Sequence, residues 1–223
     1  MKHSSPSVSV EKEVAKEKAV RGEDYLALLY RLGEAGIEAR LSIIAGELRV
    51  KAPTAAKSLS KLREKGYVER RGLSYFLTEK GLKVAERIVR NHRIAERLLT
   101  DVLGVDQRDA HKLAHELEHV DLLAELADRY LGSPDQCPHG NPVPSRSRLK
   151  GLPLSRVGEG VYRVARLGEL REVFEWADRL GLKVGTHVEV EGVEGSYLLV
   201  RVESGRIRLP MEIASLVYVE KSG

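Results

Sequence analysis

Apolar positions along the chain alternate between a helical and a strand period. From Gly22, the residues Tyr25, Leu26, Leu28, Leu29 and Leu32 form a helical stripe that ends at Gly33 to Gly36, predicting an amphipathic first helix. A second, short helix is expected over Leu41–Leu48 and a third over Pro53–Leu62. Pro53 suits a first helical position, where a missing N–H costs nothing. Gly66 to Arg70, Arg71-Gly72 and Leu73 to Thr78 then read as strand, turn, strand. A long helix follows over Glu79–Asp101. Gly104 breaks it, a further helix begins near Asp106, and Leu122 to Leu131 continues as helix with Leu123, Leu126 and Ala127 for packing. From about Gly151 the pattern turns to short strands: Val161–Ala165, Gly185–Val190, Tyr197–Val202, Gly205–Leu209 and Leu216–Val219, with one helix over Leu170–Leu180. Strands at that density imply a small barrel.

The expected class is therefore α+β, mainly α. It comprises an N-terminal winged helix-turn-helix (21–89), a central helical domain (90–148) whose surplus of apolar residues suits a dimer interface and a C-terminal small β-barrel (149–223), after a charged extension over 1–20. In a winged helix-turn-helix the second helix of the pair enters the major groove. Lys57, Lys61, Arg70 and Arg71 would neutralise phosphates, and Thr54, Lys57 and Ser58 would reach base edges. Lys51 and Pro53, at the start of the same helix, complete the candidate DNA-binding set. Small Ala55 and Ala56 would let one face approach a surface closely. A winged helix used only for protein contacts is the competing reading.

Charge favours the DNA reading. The net charge of +4 is unevenly placed: residues 40–71 carry nine Lys/Arg against three Glu, and residues 90–129 carry six against nine Asp/Glu. A basic block suits a polyanion and an acidic block suits cations. Apolar residues at 42% suffice for real cores, and no apolar run is long enough to span a membrane. The single cysteine, Cys137, excludes a disulfide framework and fits a reducing, cytoplasmic compartment.

The densest chemistry lies in Ala110 to His119. On a helix, His111, His115, Glu118 and His119 fall within an arc of roughly 100°, so three imidazoles and a carboxylate share one face. That donor set suits divalent Mn, Fe, Ni or Zn. A solvated face with charges at helical spacing is the bland alternative. His115-Glu116-x-x-His119 also matches the zinc-protease pattern, which makes a zinc hydrolase with Glu116 as base the rival function. His92 and Glu96, four apart, share a face of the preceding helix. In the Pro-rich loop Gly132–Pro144, Cys137 and His139 are further candidate ligands.

Taken together, Glu23-Asp24-Tyr25-Leu26, Pro53-Thr54, Asn91 to Leu99, His115-x-x-Glu118-His119-Val120 and Ser133-Pro134 through Gly140-Asn141-Pro142-Val143-Pro144 resemble the DtxR/MntR family of metal-dependent transcriptional repressors. Leu180–Gly185, Val188–Val190 and Leu209–Ala214 resemble that family's SH3-like FeoA module. The resemblance implies a cytoplasmic homodimer that binds a palindromic double-stranded DNA operator and represses metal-uptake genes. It implies Mn²⁺ or Fe²⁺ as cofactor, with Co²⁺, Ni²⁺ or Zn²⁺ able to substitute in vitro, and neither enzyme activity nor membrane attachment. Its primary site would be Asp24, His115, Glu118 and His119, with His92 adjacent. A second site would use His92, Glu96 and His111, or Glu96, Cys137 and His139 with an acid such as Glu169 or Glu172. The chain departs from the family pattern at His115, where Cys or Glu is usual. It departs also at Ala27, where manganese-responsive members carry a carboxylate.

Overall fold

The computed structural model describes residues 20–222, so the expectation for the N-terminal extension lies outside the described residues. Contacts divide the described chain into two compact units. One holds residues 20–30 with Glu38–Pro134, the other Arg31–Ile37 with residues 135–222.

Helix α1 (Gly22–Glu34), divided between the units after Tyr30, has its expected stripe buried throughout. Helix α2 (Leu41–Glu47) and helix α3 (Ala52–Glu64) form the helix-turn-helix. Between them Arg49 takes a φ of +53°, which lets the Val50 N–H reach back to the Ala45 carbonyl at 3.0 Å and closes α2. Helix α3 starts at Ala52, one residue earlier than expected, with Pro53 still in its first turn. It buries Ala55, Leu59 and Leu62. Ala55 thus serves close packing inside the unit rather than approach to an outside surface. Strands β1 (Val68–Arg71) and β2 (Ser74–Leu77) pair from Val68↔Leu77 to Arg71↔Ser74, making the wing.

Thr78 caps helix α4 (Glu79–Arg97), its hydroxyl accepting from the Gly81 N–H at 3.1 Å. Gly81 packs so tightly on the wing that a Cβ there would sit 2.0 Å from the Tyr67 carbonyl oxygen. The single long helix expected here ends in a π-helical turn, Leu98–Val102. Helix α5 (Gln107–Leu117), capped by the Asp106 carboxylate, and helix α6 (Asp121–Tyr130) complete the unit. Ala95, Ala110 and Ala114 lie in one buried cluster with Leu99, packed by Val105, Leu113 and Leu117. Small residues at this contact bring the α4 and α5 backbones close enough for their polar side chains to meet.

The α5 helix corrects one expectation. It stops at Leu117, so Glu118 and His119 lie in the turn before α6 rather than on a continuous helical stripe. Leu126, expected to pack, is 52% exposed.

The second unit is an antiparallel six-stranded sheet in the order β3-β8-β4-β5-β6-β7. Its strands are β3 (Leu152–Pro153), β4 (Gly160–Leu167), β5 (His187–Glu194), β6 (Tyr197–Val202), β7 (Gly205–Pro210) and β8 (Val217–Lys221). Alternating Val188, Val190, Leu198, Val200 and Val202 fill its buried face. Helix α7 (Arg171–Leu180) ends at Gly181 in the left-handed region, and α8 (Met211–Ala214) is a single turn. Sheet and helices agree with the expected SH3-like module. The two-residue β3 and the short α8 escaped the sequence reading because neither is long enough to show a period. Among the described residues no helix is long and apolar enough to cross a membrane.

Candidate metal centre

Asp24 sits in the first turn of α1, where its Oδ2 accepts the Arg21 N–H at 2.7 Å. That anchorage points its Oδ1 at His119 Nε2, 2.9 Å away. The same His119 nitrogen lies 3.7 Å from Glu118 Oε1. On its other side, His119 Nδ1 meets Glu23 Oε2 at 3.0 Å. Glu118 is buried, and its second oxygen receives His92 Nδ1 at 2.7 Å, while His115 Nδ1 lies 3.4 Å from the carboxylate. Asn91 on α4 donates to the Glu118 carbonyl at 3.1 Å, holding the turn in place.

The network continues along α4 and α5. His92 Nε2 lies 3.0 Å from His111 Nδ1 and 3.2 Å from Glu96 Oε1, and His111 Nδ1 lies 2.7 Å from that same oxygen. The rings of His92, His111 and His115 stand within 4.5–5.0 Å of one another, centroid to centroid. Burial draws the Glu118 carboxyl up, but hydrogen bonds and charge from His115 and His92 outweigh it and hold the group well below the usual carboxylate range. Burial pushes the His111 imidazole down to about 3 against the pull of the Glu96 carboxylate, with repulsion from His92 and His115 adding to the downward shift. An ionised carboxylate and a neutral imidazole are the forms that ligate metals.

Two donor groups emerge within this unit: Asp24 with Glu118 and His119, and His92 with His111 and His115. In each, one ligand atom per residue lies within 4.8 Å of the others. Oxygen and nitrogen donors converging around a buried charge fit a divalent cation of the Mn, Fe, Co or Zn kind. The two His of the hydrolase pattern fall in different groups, and Glu116 is exposed while Glu118 is buried. The end of α5 at Leu117 is the reason: a zinc-protease motif needs both His on one continuous helix.

Cys137 and His139 belong to the second unit. Their loop turns tightly, with Cys137 N–H to the Asn141 carbonyl at 2.9 Å and Gly140 N–H to the Cys137 carbonyl at 3.0 Å. Both side chains are buried, and Cys137 Sγ lies 3.7 Å from Glu169 Oε1. Of the two expected acids, Glu169 is therefore the one beside the thiol, and Glu172 is exposed.

The candidate DNA-facing residues form the outer surface of α3 and the wing. Lys51, Pro53, Thr54, Lys57, Lys61, Arg70 and Arg71 are exposed, and Ser58 is half-buried. Arg70 Nε donates to the Gly72 carbonyl at 2.9 Å and Arg71 pairs with Glu69 at 2.5 Å, so both wing arginines are braced along the hairpin.

Sequence reasoning passed over Glu23 and Asn91. Glu23 adjoins Asp24 in the chain, and that adjacency is the only signal it carries. Asn91 is one of two asparagines in the whole chain and adjoins His92, which is the signal it carries in the sequence; its burial appears only in the structure.

Known proteins match along the whole described chain. Residues 19–73 match the family described as the iron dependent repressor N-terminal DNA binding domain. Residues 78–145 match its metal binding and dimerisation domain, and residues 152–221 match the FeoA domain. The diphtheria toxin repressor of Corynebacterium glutamicum is 30% identical over 221 residues, covering 89% of this chain and 95% of that protein. The iron-dependent repressor IdeR of Mycobacterium tuberculosis is 31% identical over 225 residues, covering 89% and 96%. Among solved structures, the manganese regulator SloR superposes with a TM-score of 0.82 at 26% identity over 92% of this chain and 100% of that one. ScaR with bound Zn²⁺ superposes with a TM-score of 0.77 at 30% identity over 91% and 100%.

Proposed function

Because this chain belongs to the iron-dependent repressor family that includes the diphtheria toxin repressor, we propose how its own residues couple metal to DNA. It is a DNA-binding regulator of that metal-dependent family and not an enzyme. Its divisions are a winged helix (21–89), a helical metal and dimer domain (90–148) and a FeoA-type domain (149–223), after the extension over 1–20.

The observation that carries the reading is the contact of Asp24 with His119, ninety-five residues apart in sequence and 2.9 Å apart in space. Asp24 lies on the first helix of the DNA-reading part, and His115, Glu118 and His119 lie at the end of α5. A divalent cation, Mn²⁺ or Fe²⁺ in the cell with Co²⁺, Ni²⁺ or Zn²⁺ substituting in vitro, would be held by Asp24, Glu118 and His119, with His115 beside the Glu118 carboxylate at 3.4 Å as the fourth expected ligand. Bound there, it supplies positive charge that carboxylates from both parts share. Glu118 offers its buried charge, His92 and Asn91 orient Glu118, and the turn after Leu117 aims His119 back at α1. His92, Glu96 and His111 form a second group of ligands, and Cys137 and His139 a third. The cation shifts the population toward the DNA-competent arrangement only by its differential affinity for it, and the coupling is reciprocal.

On the DNA side, Lys57, Lys61, Arg70 and Arg71 take phosphates, and Thr54, Lys57 and Ser58 reach bases, with Lys51 and Pro53 at the start of α3 beside the backbone. Leu122, Leu126 and Tyr130, four apart on α6, are 64%, 52% and 74% exposed. An apolar stripe of that size suits the face on which two copies meet. A homodimer places two recognition helices about 34 Å apart or a multiple of that, on a palindromic operator. On this reading the protein represses metal-uptake genes in the cytoplasm, as the family resemblance implies.

The test is fluorescence anisotropy on DNA upstream of the protein's own gene, with chelator and then with Mn²⁺ or anaerobic Fe²⁺. Tight binding only in metal is expected. Equal binding in chelator and in metal would sink the sensor reading.

A further inference from the structure

We infer that Glu23 is a positioning residue for the metal centre: it holds the His119 ring in the one tautomer that leaves Nε2 open for ligation. The inference rests on the reading of Asp24, Glu118 and His119 as metal ligands. His119 faces two carboxylates with its two nitrogens. Nε2 points toward Asp24 and Glu118, the donors with which it would share a cation, and Nδ1 points away from them to Glu23 at 3.0 Å. A neutral imidazole carries one N–H, and a metal needs the other nitrogen's lone pair. The proton must then reside on Nδ1, where an acceptor-only carboxylate receives it.

Glu23 is itself held. Its Oε1 accepts from Arg87 Nη2 at 2.5 Å, and Arg87 Nη1 reaches Asp121 Oδ1 at 2.5 Å. Asp121 Oδ1 also accepts from Asn91 Nδ2 at 2.7 Å, and that same Asn91 nitrogen donates to the Glu118 carbonyl. The chain of contacts thus leaves the centre at His119 and returns to it at Glu118. Glu23 and Arg87 are each more than one-third exposed, so as a surface ion pair they add little to stability. Their geometry is better spent on orientation: α1 supplies both the ligand Asp24 and the residue that turns His119 to meet it.

The experiment uses the full chain with Glu23→Leu, Glu23→Gln and Asp24→Ala. Affinity for the first equivalent of Mn²⁺ is read by electron paramagnetic resonance titration, and the His119 ring nitrogens are read by ¹⁵N NMR in the Zn²⁺-loaded protein. Glu23→Leu is expected to weaken Mn²⁺ binding about 10–100-fold, the usual effect of an outer carboxylate on a ligating imidazole. Glu23→Gln, which keeps an acceptor oxygen, is expected to recover most of that loss, and the wild-type ring is expected to show a protonated Nδ1. Wild-type Mn²⁺ affinity in Glu23→Leu, equal loss in the Leu and Gln variants, or a wild-type ring protonated at Nε2 would overturn the inference. Unchanged Mn²⁺ affinity in Asp24→Ala would instead overturn the site reading on which it rests.

Discussion

On α3, Ala55, Leu59 and Leu62 are buried while Lys57 and Lys61 stand in solvent. At the end of α5 the pattern is inverted: Glu118 is 1% exposed, and it is the charged residue that is inside. In the proposed reading the two regions take opposite charges, and burial differs for a physical reason. Phosphate contacts are worth most as a summed, long-range field, so lysines can remain hydrated and mobile until DNA arrives. A metal ligand must already be in place and desolvated, so its charge is buried against imidazoles that compensate it. The teaching is that the same sequence length can carry a function readable from one helix or a function assembled from three.

The largest effect is expected where burial is deepest. Glu118→Gln should abolish metal-dependent operator binding, because it removes the one carboxylate shared by His92, His115 and His119. Asp24→Ala should do the same while leaving the fold intact. Anisotropy in saturating Mn²⁺ checks both, and wild-type binding in either variant breaks the contrast between the regions.

The apolar α6 face comes next. Leu126→Glu should dissociate the dimer, read as a fall in sedimentation coefficient. An unchanged coefficient would move the interface elsewhere.

On α3 the losses should be graded rather than complete. Lys57→Ala and Lys61→Ala should each reduce the slope of log affinity against log salt by about 1, with metal affinity retained.

The histidine network also predicts a pH dependence of stability. His111 is pushed down to about 3 in the fold against an ordinary 6.5. Between those values the unfolded chain binds a proton that the metal-free fold refuses. Its contribution is therefore complete above about pH 6.5 and is lost as pH falls, by about 1.4 kcal/mol per pH unit. Urea midpoints at pH 7 and pH 5.5 should show the slope, and His111→Asn should flatten it. The smallest effect is expected of Glu116→Gln. Glu116 is exposed, and wild-type metal and operator binding in that variant separates it sharply from Glu118.

Legibility followed the same division. The winged helix was readable because each of its elements obeys its own period: Leu59 and Leu62 inside, Lys57 and Lys61 outside. The histidines were readable as chemistry but not as geometry. A regular helix through His119 would have placed four donors on one stripe. The actual end of α5 at Leu117 sends His119 to Asp24 and leaves His115 with His92 and His111. Nothing local in Glu116-Leu117-Glu118-His119 marks that stop, since no Gly or Pro stands there; the close α4 contact through Asn91 holds the turn.

By itself, the sequence determined the order of elements, the basic helix, the β-rich C-terminal unit and the residue types able to ligate a metal. Those depend on periodicity and side-chain chemistry, which each segment carries alone. The family resemblance already groups Asp24 with Glu118 and His119; only the tertiary structure decided that Asp24 meets His119 directly at 2.9 Å, that Glu116 is exposed where Glu118 is buried, that Glu169 rather than Glu172 lies beside Cys137, and that Glu23 stands behind the ring. Those choices depend on where separate segments come to rest against each other, and a contact between residues 24 and 119 leaves no trace in the local spacing of either.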